Sequence, residues 1–381
     1  GAPIPIVYCQ RDCGIVAVPD DQLPVRLPDI DKYEPSGTGR SPLANIAEFV
    51  NTTCPKCGVP AERETDTLDG FACSSWYFLR FASPHCADAP FAPKAAGYWL
   101  PVDLYVGGAE HAVMHLLYAR MWTKVMFDAG LVNFVEPFSV LRNQGMVWAA
   151  DGHRMSKSRG NVVTPDAMIE KYGADALRLW ELFMSPFEEA TNWNESGVAA
   201  TARFLGRVWT VVRRCVEAGA PAGSPRDETL KVAHKTIRTV TDHVERMRFN
   251  TAVAALMEQL NHIQPLKPEE IGRFVIESYV LMLAPMAPHV CEEFWRALGH
   301  SRSVHLEAWP SFDPALTRDD TVTVVVQING KVRERLLVEV GADENKVRDL
   351  AFASDAVKKH LAGKAPKKVI YVKDKLLSIV V

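Results

Sequence analysis

A chain of 381 residues, 48% hydrophobic and 23% charged, has the composition of a globular protein with two to three domains of about 150 residues each. A formal charge of −3 excludes nucleic-acid binding driven by the field of the whole chain, so any such contact must come from local basic patches. No apolar run is long enough to span a bilayer, and the opening Gly1-Ala2-Pro3-Ile4-Pro5 does not read as a signal peptide. The eight cysteines, several in close pairs, point to reduced thiols and metal in a cytoplasmic setting rather than to disulfides.

Residues 1–70 are rich in proline and turns, with short apolar runs at Ile4–Tyr8 and Ile15–Val18. Within them stand Cys9-x-x-x-Cys13-Gly14 and Cys54-Pro55-Lys56-Cys57-Gly58. A short spacing lets one turn offer two thiolates, and two such turns supply the four soft ligands of a tetrahedral zinc. Cys9, Cys13, Cys54 and Cys57 are therefore the expected ligands of a structural zinc; two unrelated pairs of free thiols are the plainer alternative. Cys73, Cys86, Cys215 and Cys291 lack such partners and read as buried small hydrophobes.

An aromatic-dense stretch, Phe71–Phe81, follows the acidic Asp66-x-x-Asp69. Leu100–Val106 predicts a buried strand, running into Gly107-Gly108-Ala109-Glu110-His111 and a helix with Val113, Leu116, Leu117, Arg120 and Met121. Glycines between a strand and a helix mark the α/β layout in which ligands sit at strand C-terminal ends. Glu110 suits ribose hydroxyls there, or is simply a carboxylate favoured by the helix dipole. His111 and His115, four apart, read as packing or as a metal pair lacking a third ligand.

The stretch Arg154-Met155-Ser156-Lys157-Ser158-Arg159-Gly160-Asn161-Val162-Val163 places three cations on a glycine-bearing loop. Such a loop suits a polyphosphate, whose developing charge is met by placed cations and donors; a solvated basic turn is the plainer reading. Thr164-Pro165-Asp166 predicts a helix start with Thr164 as cap, ending at Gly173, and a second helix from Ala174. Residues 198–310 read as helices. Phe204, Val208, Val211, Val212 and Cys215 share one apolar face, and Leu230, Ala233, Ile237, Val240, Val244 and Met247 form another seam. Arg203, Arg207 and Arg214 lie on a different face, a phosphate track or a solvated surface. Pro288 is expected to start a last helix, with His289 as a structural cap. After a linker from Trp309 to Thr321, Asn329-Gly330 signals a hairpin, and the order ββααββ predicts a small α+β domain. Residues 321–381 carry 12 Lys and Arg against 7 Asp and Glu, with Lys358, Lys359, Lys364, Lys367 and Lys368 clustered, which suits phosphate contacts.

The loop at Arg154–Val163 resembles the KMSKS loop of class I aminoacyl-tRNA synthetases, with Arg154 in place of the motif's first lysine. Gly107-Gly108-x-Glu110-His111-Ala112-x-x-His115-Leu116-Leu117-Tyr118-x-Arg120 resembles bacterial-type leucyl-tRNA synthetase. So do Ser74-Ser75-Trp76-Tyr77, Gln144-Gly145-Met146-Val147, Asp21-x-Leu23-Pro24-Val25-x-Leu27-Pro28 and Glu64-Thr65-Asp66-Thr67. The resemblance covers essentially the whole chain, but only the later part of the enzyme: no His-x-Gly-His occurs in it. It departs at Cys73, where many relatives have aspartate, at Phe78, where many have tyrosine, and in lacking the leucine-specific module before the loop.

What the resemblance implies is an α/β and α multidomain fold. Residues 1–70 would be the return segment of an inserted domain, and 71–197 the C-terminal half of a Rossmann-like catalytic domain with stem-contact helices. Residues 198–315 would be a helical anticodon-binding domain, and 320–381 an α+β tRNA-binding domain. Lys157 would reach the ATP phosphates, with Ser156 beside it and Arg154 as a second catalytic cation. Glu110 would hold the adenosine ribose next to Gly107 and Gly108, while Gly145 and Met146 would border the adenine. Ser75, Phe78 and His111 would line the leucine pocket. The implied function is ligation of leucine to tRNA-Leu with ATP and Mg²⁺, needing an N-terminal half that carries His-x-Gly-His. The competing readings are a catalytically inactive tRNA-binding fragment and a synthetase for isoleucine, valine or methionine.

Overall fold

The computed structural model describes residues 1–29, 37, 39–219, 225–318, 321–361 and 363–381. Asp319 and Asp320 of the expected linker, and with them the boundary at 320, lie outside the described residues. Contacts divide the chain into two units, Gly1–Val147 with Glu188–Thr191, and Trp148–Phe187 with Asn192–Val381. Among the described residues no helix is long and apolar enough to cross a membrane.

In the first unit, β1 (Ile6–Cys9), β2 (Ile15–Ala17), β3 (Asn51–Thr53) and β4 (Pro60–Arg63) form an antiparallel sheet in the order β2-β1-β4-β3. Strand alternation turns Val7, Val16 and Ala61 into a small core with Val18 and Cys54. Asp69 Oδ1 accepts the Phe71 N–H at 2.7 Å and so starts the helix Gly70–Ser74, which Tyr77–Phe81 follows. Leu79, Phe91, Ala96 and Ala119 form a second core with Phe78 and Met126.

Two further strands, β5 (Val102–Gly108) and β6 (Phe138–Gln144), run parallel, pairing Gly107 with Asn143 and Gly108 with Gln144. The strand expected at Leu100–Val106 is therefore present, shifted by two residues, but it is not buried: Leu104 and Val106 are each 47% exposed. Parallel sheets are normally covered on both faces. Among the described residues β5 has β6 as its one sheet neighbour, and its apolar side chains stay open. Nor does an α-helix open directly after Gly108. Ala109–Val113 is a 3₁₀ turn, Met114 breaks it with φ −123 and ψ −106, and the α-helix runs from His115 to Asp128.

In the second unit Thr164 does stand at the N-cap of the helix Pro165–Tyr172, but its side chain makes no capping hydrogen bond. Gly173, at φ +89, ends that helix and precedes Ala174–Phe183, because only glycine takes this backbone without strain. A bundle follows: Glu195–Glu217, Asp227–Glu245, Phe249–Ile263, Arg273–Leu283 and Pro288–Ala297. The predicted face of Phe204, Val208, Val211, Val212 and Cys215 is buried, as are Ala233, Ile237 and Val240 of the second seam. Met247 falls past the end of its helix with φ +56.

Two of the three arginines proposed for a phosphate track turn inward. Arg207 Nε donates to Gln264 Oε1 at 2.8 Å, and an Arg214 guanidinium nitrogen donates to the Gln264 carbonyl at 2.7 Å. They tie the first bundle helix to the third and leave Arg203 alone exposed.

The cap of Pro288–Ala297 comes from Asp175 rather than from the exposed His289. Asp175 is 7% exposed; one carboxylate oxygen accepts from Arg178 at 2.9 Å and the other from the Val290 N–H at 2.7 Å. A carboxylate that joins two helices distant in sequence in this way leaves a half-buried N–H without its acceptor, and Arg178 without its carboxylate, when it is removed. Asp175→Ala is therefore expected to cost about 3 kcal/mol. Urea denaturation checks this as a lowered midpoint at constant slope, and a loss below about 1 kcal/mol would refute it.

The last strands, β7 (Thr321–Ile328), β8 (Lys331–Glu339), β9 (Lys368–Val372) and β10 (Leu376–Val380), make a sheet in the order β8-β7-β10-β9, with β7 and β10 parallel. The helices Glu344–Ala353 and Asp355–Leu361 lie between β8 and β9 in the chain, giving the expected ββααββ order. Val347, Ala351, Val357 and Leu361 close a core with Val324, Val326 and Leu377.

Candidate active site and cysteine centre

In the first unit a cavity of about 370 Å³ opens at the end of β5, lined by Phe71, Ser74, Tyr77, Tyr105, His111 and His115 among others. The Tyr77 and Tyr105 hydroxyls lie 2.8 Å apart, and the Tyr105 hydroxyl lies 2.6 Å from His115 Nε2. Burial, with His111 nearby, lowers the His115 pKa, so its ring is neutral and accepts from Tyr105. Burial and the Tyr77 hydrogen bond raise that of Tyr105, which remains a donor. Phe138 stacks on Tyr105 at 3.7 Å and 5°. His111 Nδ1 is buried and finds no partner among the described residues, an atom that a polar group of a ligand can satisfy.

Of the residues expected to line a leucine pocket, His111 faces this cavity. Ser75 is fully buried, its hydroxyl donating to the Ala72 carbonyl at 3.3 Å, and Phe78 packs edge-on against Phe138 at 5.2 Å. Their neighbours Ser74 and Tyr77 take the wall instead. Tyr77, Tyr105 and His115 were missed as a group; the aromatic density of Phe71–Phe81 was the one sequence signal for part of it. The His111–His115 pair gathers no third ligand among the described residues, and of the two only His115 joins the polar chain, through Tyr105.

Beside the cavity, the ends of β5 and β6 hold a glycine pair in place. Asn143 Nδ2 donates to the Gly107 carbonyl at 2.9 Å, and the Gln144 amide, oriented to satisfy both groups, donates to Gly107 O at 2.9 Å and accepts from Gly108 N at 3.2 Å. The half-buried Glu110 folds its carboxylate back over Gly108, where a Cβ would run into it. At Gly145 the space for a Cβ is filled by the Glu189 backbone carbonyl, and the Met146 carbonyl accepts the Thr191 N–H at 3.0 Å.

In the second unit, the loop Arg154–Val163 is framed by one side chain. Asn161 Oδ1 accepts the Ser156 N–H at 2.9 Å, while its amide nitrogen reaches Asp151 at 3.3 Å and the Arg154 carbonyl at 3.4 Å. Lys157–Arg159 form a 3₁₀ turn closed by Gly160 at φ +66. The His153 N–H, donating to Asp151, holds that carboxylate below its ordinary pKa. Arg154 and Lys157 are exposed and make no ion pair among the described residues, so both charges are available to a ligand.

The four cysteines of the expected metal site come together. The sulfurs of Cys9, Cys13, Cys54 and Cys57 all lie within 4.8 Å of one another, with Cys9 and Cys57 at 3.6 Å. Tetrahedral zinc with bonds of about 2.3 Å sets its sulfurs about 3.8 Å apart, so the set fits the ion. Each pair is folded into a tight turn by a left-handed glycine, Gly14 at φ +65 and Gly58 at φ +70. The Arg11 N–H, donating to Cys9 Sγ, draws that thiol down to about 7, while the hydrogen bond with Cys57 and burial push Cys13 up to about 12. Of the four cysteines read as buried hydrophobes, Cys215 and Cys291 are buried; Cys73 is exposed and accepts the Ala2 N–H at 3.1 Å, and Cys86 is half-buried.

A family model for tRNA synthetases class I (I, L, M and V) matches residues 49–194, and one for the anticodon-binding domain of tRNA ligase matches residues 227–348. The chain belongs to the class I tRNA synthetases, as part of the catalytic domain joined to an anticodon-binding domain. Within that class it is a homologue of leucine–tRNA ligase and corresponds to the C-terminal part of that enzyme. The ligase of Dehalococcoides mccartyi strain CBDB1 is 47% identical over 100% of this chain and 47% of its own length. That of Rubrobacter xylanophilus is 48% identical over 100% of this chain and 46% of its own. A solved ternary complex, LeuRS-tRNA-LeuAMS of Agrobacterium radiobacter K84, matches with a TM-score of 0.77 and 35% identity, covering 99% of this chain and 50% of that one. The chain thus spans about half the length of the curated relatives it matches.

Proposed function

We propose that this chain is the C-terminal part of a leucine–tRNA ligase, acting in the cytoplasm on leucine, ATP and tRNA-Leu. A leucine carboxylate oxygen attacks the α-phosphorus of ATP, pyrophosphate leaves, and the leucyl group then passes from the adenylate to the tRNA 3′ end. No covalent enzyme intermediate is required, so the protein's task is positioning and stabilisation of phosphate charge. The observation that carries the reading is the cavity at the end of β5, in a chain 47% identical from end to end to a leucine–tRNA ligase.

In this reading the leucine side chain enters that cavity against His111, with Ser75 and Phe78 supporting its wall from behind. Glu110 holds the ribose beside Gly107 and Gly108, Gly145 and Met146 border the adenine, and Lys157, Ser156 and Arg154 meet the phosphates of ATP, which enters with Mg²⁺. Cys9, Cys13, Cys54 and Cys57 hold a structural zinc, whose four protein ligands leave no open position for chemistry. The division into 1–70, 71–197, 198–315 and 320–381 gives the last two segments to tRNA.

The exposed apolar residues of β5 and β6 support a need for a further polypeptide, an N-terminal half with the His-x-Gly-His motif that completes the sheet. Mixing the chain with that half is expected to give leucine-dependent pyrophosphate–ATP exchange that neither part gives alone. No exchange on mixing would leave a tRNA-binding module without catalysis. Exchange with isoleucine, valine or methionine but not leucine would overturn the specificity.

A further inference from the structure

The basic loop Arg154–Val163 has a carboxylate at its base. Asp151 is exposed and precedes Gly152, whose φ of +75 helps to turn the chain tightly there. In that turn the Gly152 N–H donates to the Ala149 carbonyl at 2.9 Å, and the Ala149 N–H to the His153 carbonyl at 2.8 Å. A negative charge beside a polyphosphate repels it, so this one calls for a task of its own. Both of its oxygens are in use. Oδ1 accepts the His153 N–H at 3.0 Å, and Oδ2 accepts from the Asn161 amide at 3.3 Å.

Asn161, half-buried and 10 residues further along, is the other half of a clasp. Its one amide group joins three points: it donates to Asp151 and to the Arg154 carbonyl at 3.4 Å, and it accepts the Ser156 N–H at 2.9 Å. Only a side chain that donates and accepts at once can do this. Lys157 follows Ser156 directly and opens the turn that Gly160 closes, so a fixed Ser156 N–H fixes the backbone entry to the lysine. The clasp grips backbone and leaves the exposed Lys157 ammonium to a ligand.

We propose that Asp151 and Asn161 are positioning residues, a clasp that sets the loop before ATP arrives so that Lys157 meets the separating phosphates already ordered. The proposal rests on the reading of this chain as the C-terminal part of a leucine–tRNA ligase, and it commits the clasp to act through Lys157.

The test uses the full chain, alone and mixed with its N-terminal half. In the mixture, Asn161→Ala is expected to lower kcat for leucine-dependent exchange by about tenfold, with KM for ATP moving by less than about threefold. In a Lys157→Ala background the same change should cost less than about twofold, because a residue that acts through the lysine then has nothing to position. Asn161→Asp, which sets two carboxylates face to face, should be at least as damaging as the alanine. Asp151→Asn/Asn161→Asp restores a donor and an acceptor across the clasp and should return kcat to within about threefold of the unmodified mixture. In the chain alone, trypsin cleavage after Arg154, Lys157 or Arg159 should quicken about fivefold in both single variants and slow again in the swapped pair. An unchanged urea midpoint shows that the fold is intact. An unchanged or raised kcat in Asn161→Ala, a full loss in the Lys157→Ala background, or no recovery in the swapped pair overturns the clasp and leaves leucyl transfer standing. Unmodified parts that give no exchange overturn the leucyl reading, and the role of the clasp with it.

Discussion

Lys157→Ala, assayed in the chain mixed with its N-terminal half, is expected to lower kcat for leucine-dependent exchange by about 10²–10³-fold, or about 3–4 kcal/mol. KM for ATP should stay within about threefold, because a charge that meets the phosphates as they separate acts on the transition state more than on binding. The geometry favours this residue over its neighbours. Lys157 begins the 3₁₀ turn that Gly160 closes, on a loop whose entry and exit are tied by Asn161 to Ser156 and to Arg154. An exposed ammonium with no ion pair among the described residues keeps its full charge for a ligand, at a position its backbone already fixes. An unchanged kcat would remove Lys157 from the mechanism. A rise in KM alone would make it a binding residue.

Features written within a few consecutive residues were legible in the sequence. The two cysteine turns, the basic loop with its glycine, the Asn329-Gly330 hairpin and the ββααββ order each depend on local spacing, and each is found in place. Features that depend on which way a short helix is rotated were not. In Gly70–Phe81, Ser75 and Phe78 turn to the core while Ser74 and Tyr77 face the cavity, a shift of one residue that no aromatic count resolves. Contacts between distant segments were equally out of reach. Asp175 caps a helix that starts at Pro288, and Arg207 and Arg214 are drawn to Gln264 from a face that looked solvated. The burial expected for β5 failed for a related reason: an apolar strand pattern reports what a strand needs against it, and among the described residues that cover is missing.

The chain purified without chelator is expected to carry one zinc, and stripping it should unfold the small sheet around β1–β4 while the helical bundle persists. The contrast follows from what holds each part together. Around the cysteines the core is five buried residues, Val7, Val16, Val18, Cys54 and Ala61, one of them a member of the proposed ligand set. A core of that size cannot offset the ordering entropy of the strands and turns around it. Zinc in a four-cysteine site supplies about 10–16 kcal/mol at neutral pH, which exceeds any plausible contribution of those side chains. The bundle instead buries Ile237, Leu256, Leu260, Ile276, Tyr279 and Leu283 completely and contains no metal cluster among the described residues. Elemental analysis gives the zinc count, and hydrogen exchange before and after chelation locates the loss. Cys54→Ser/Cys57→Ser should reproduce the chelated pattern, since it removes one whole turn of ligands. Retention of protection in residues 1–63 after complete metal removal would show that the thiols are packed, not bridged, and would return the two cysteine pairs to the reading of free thiols.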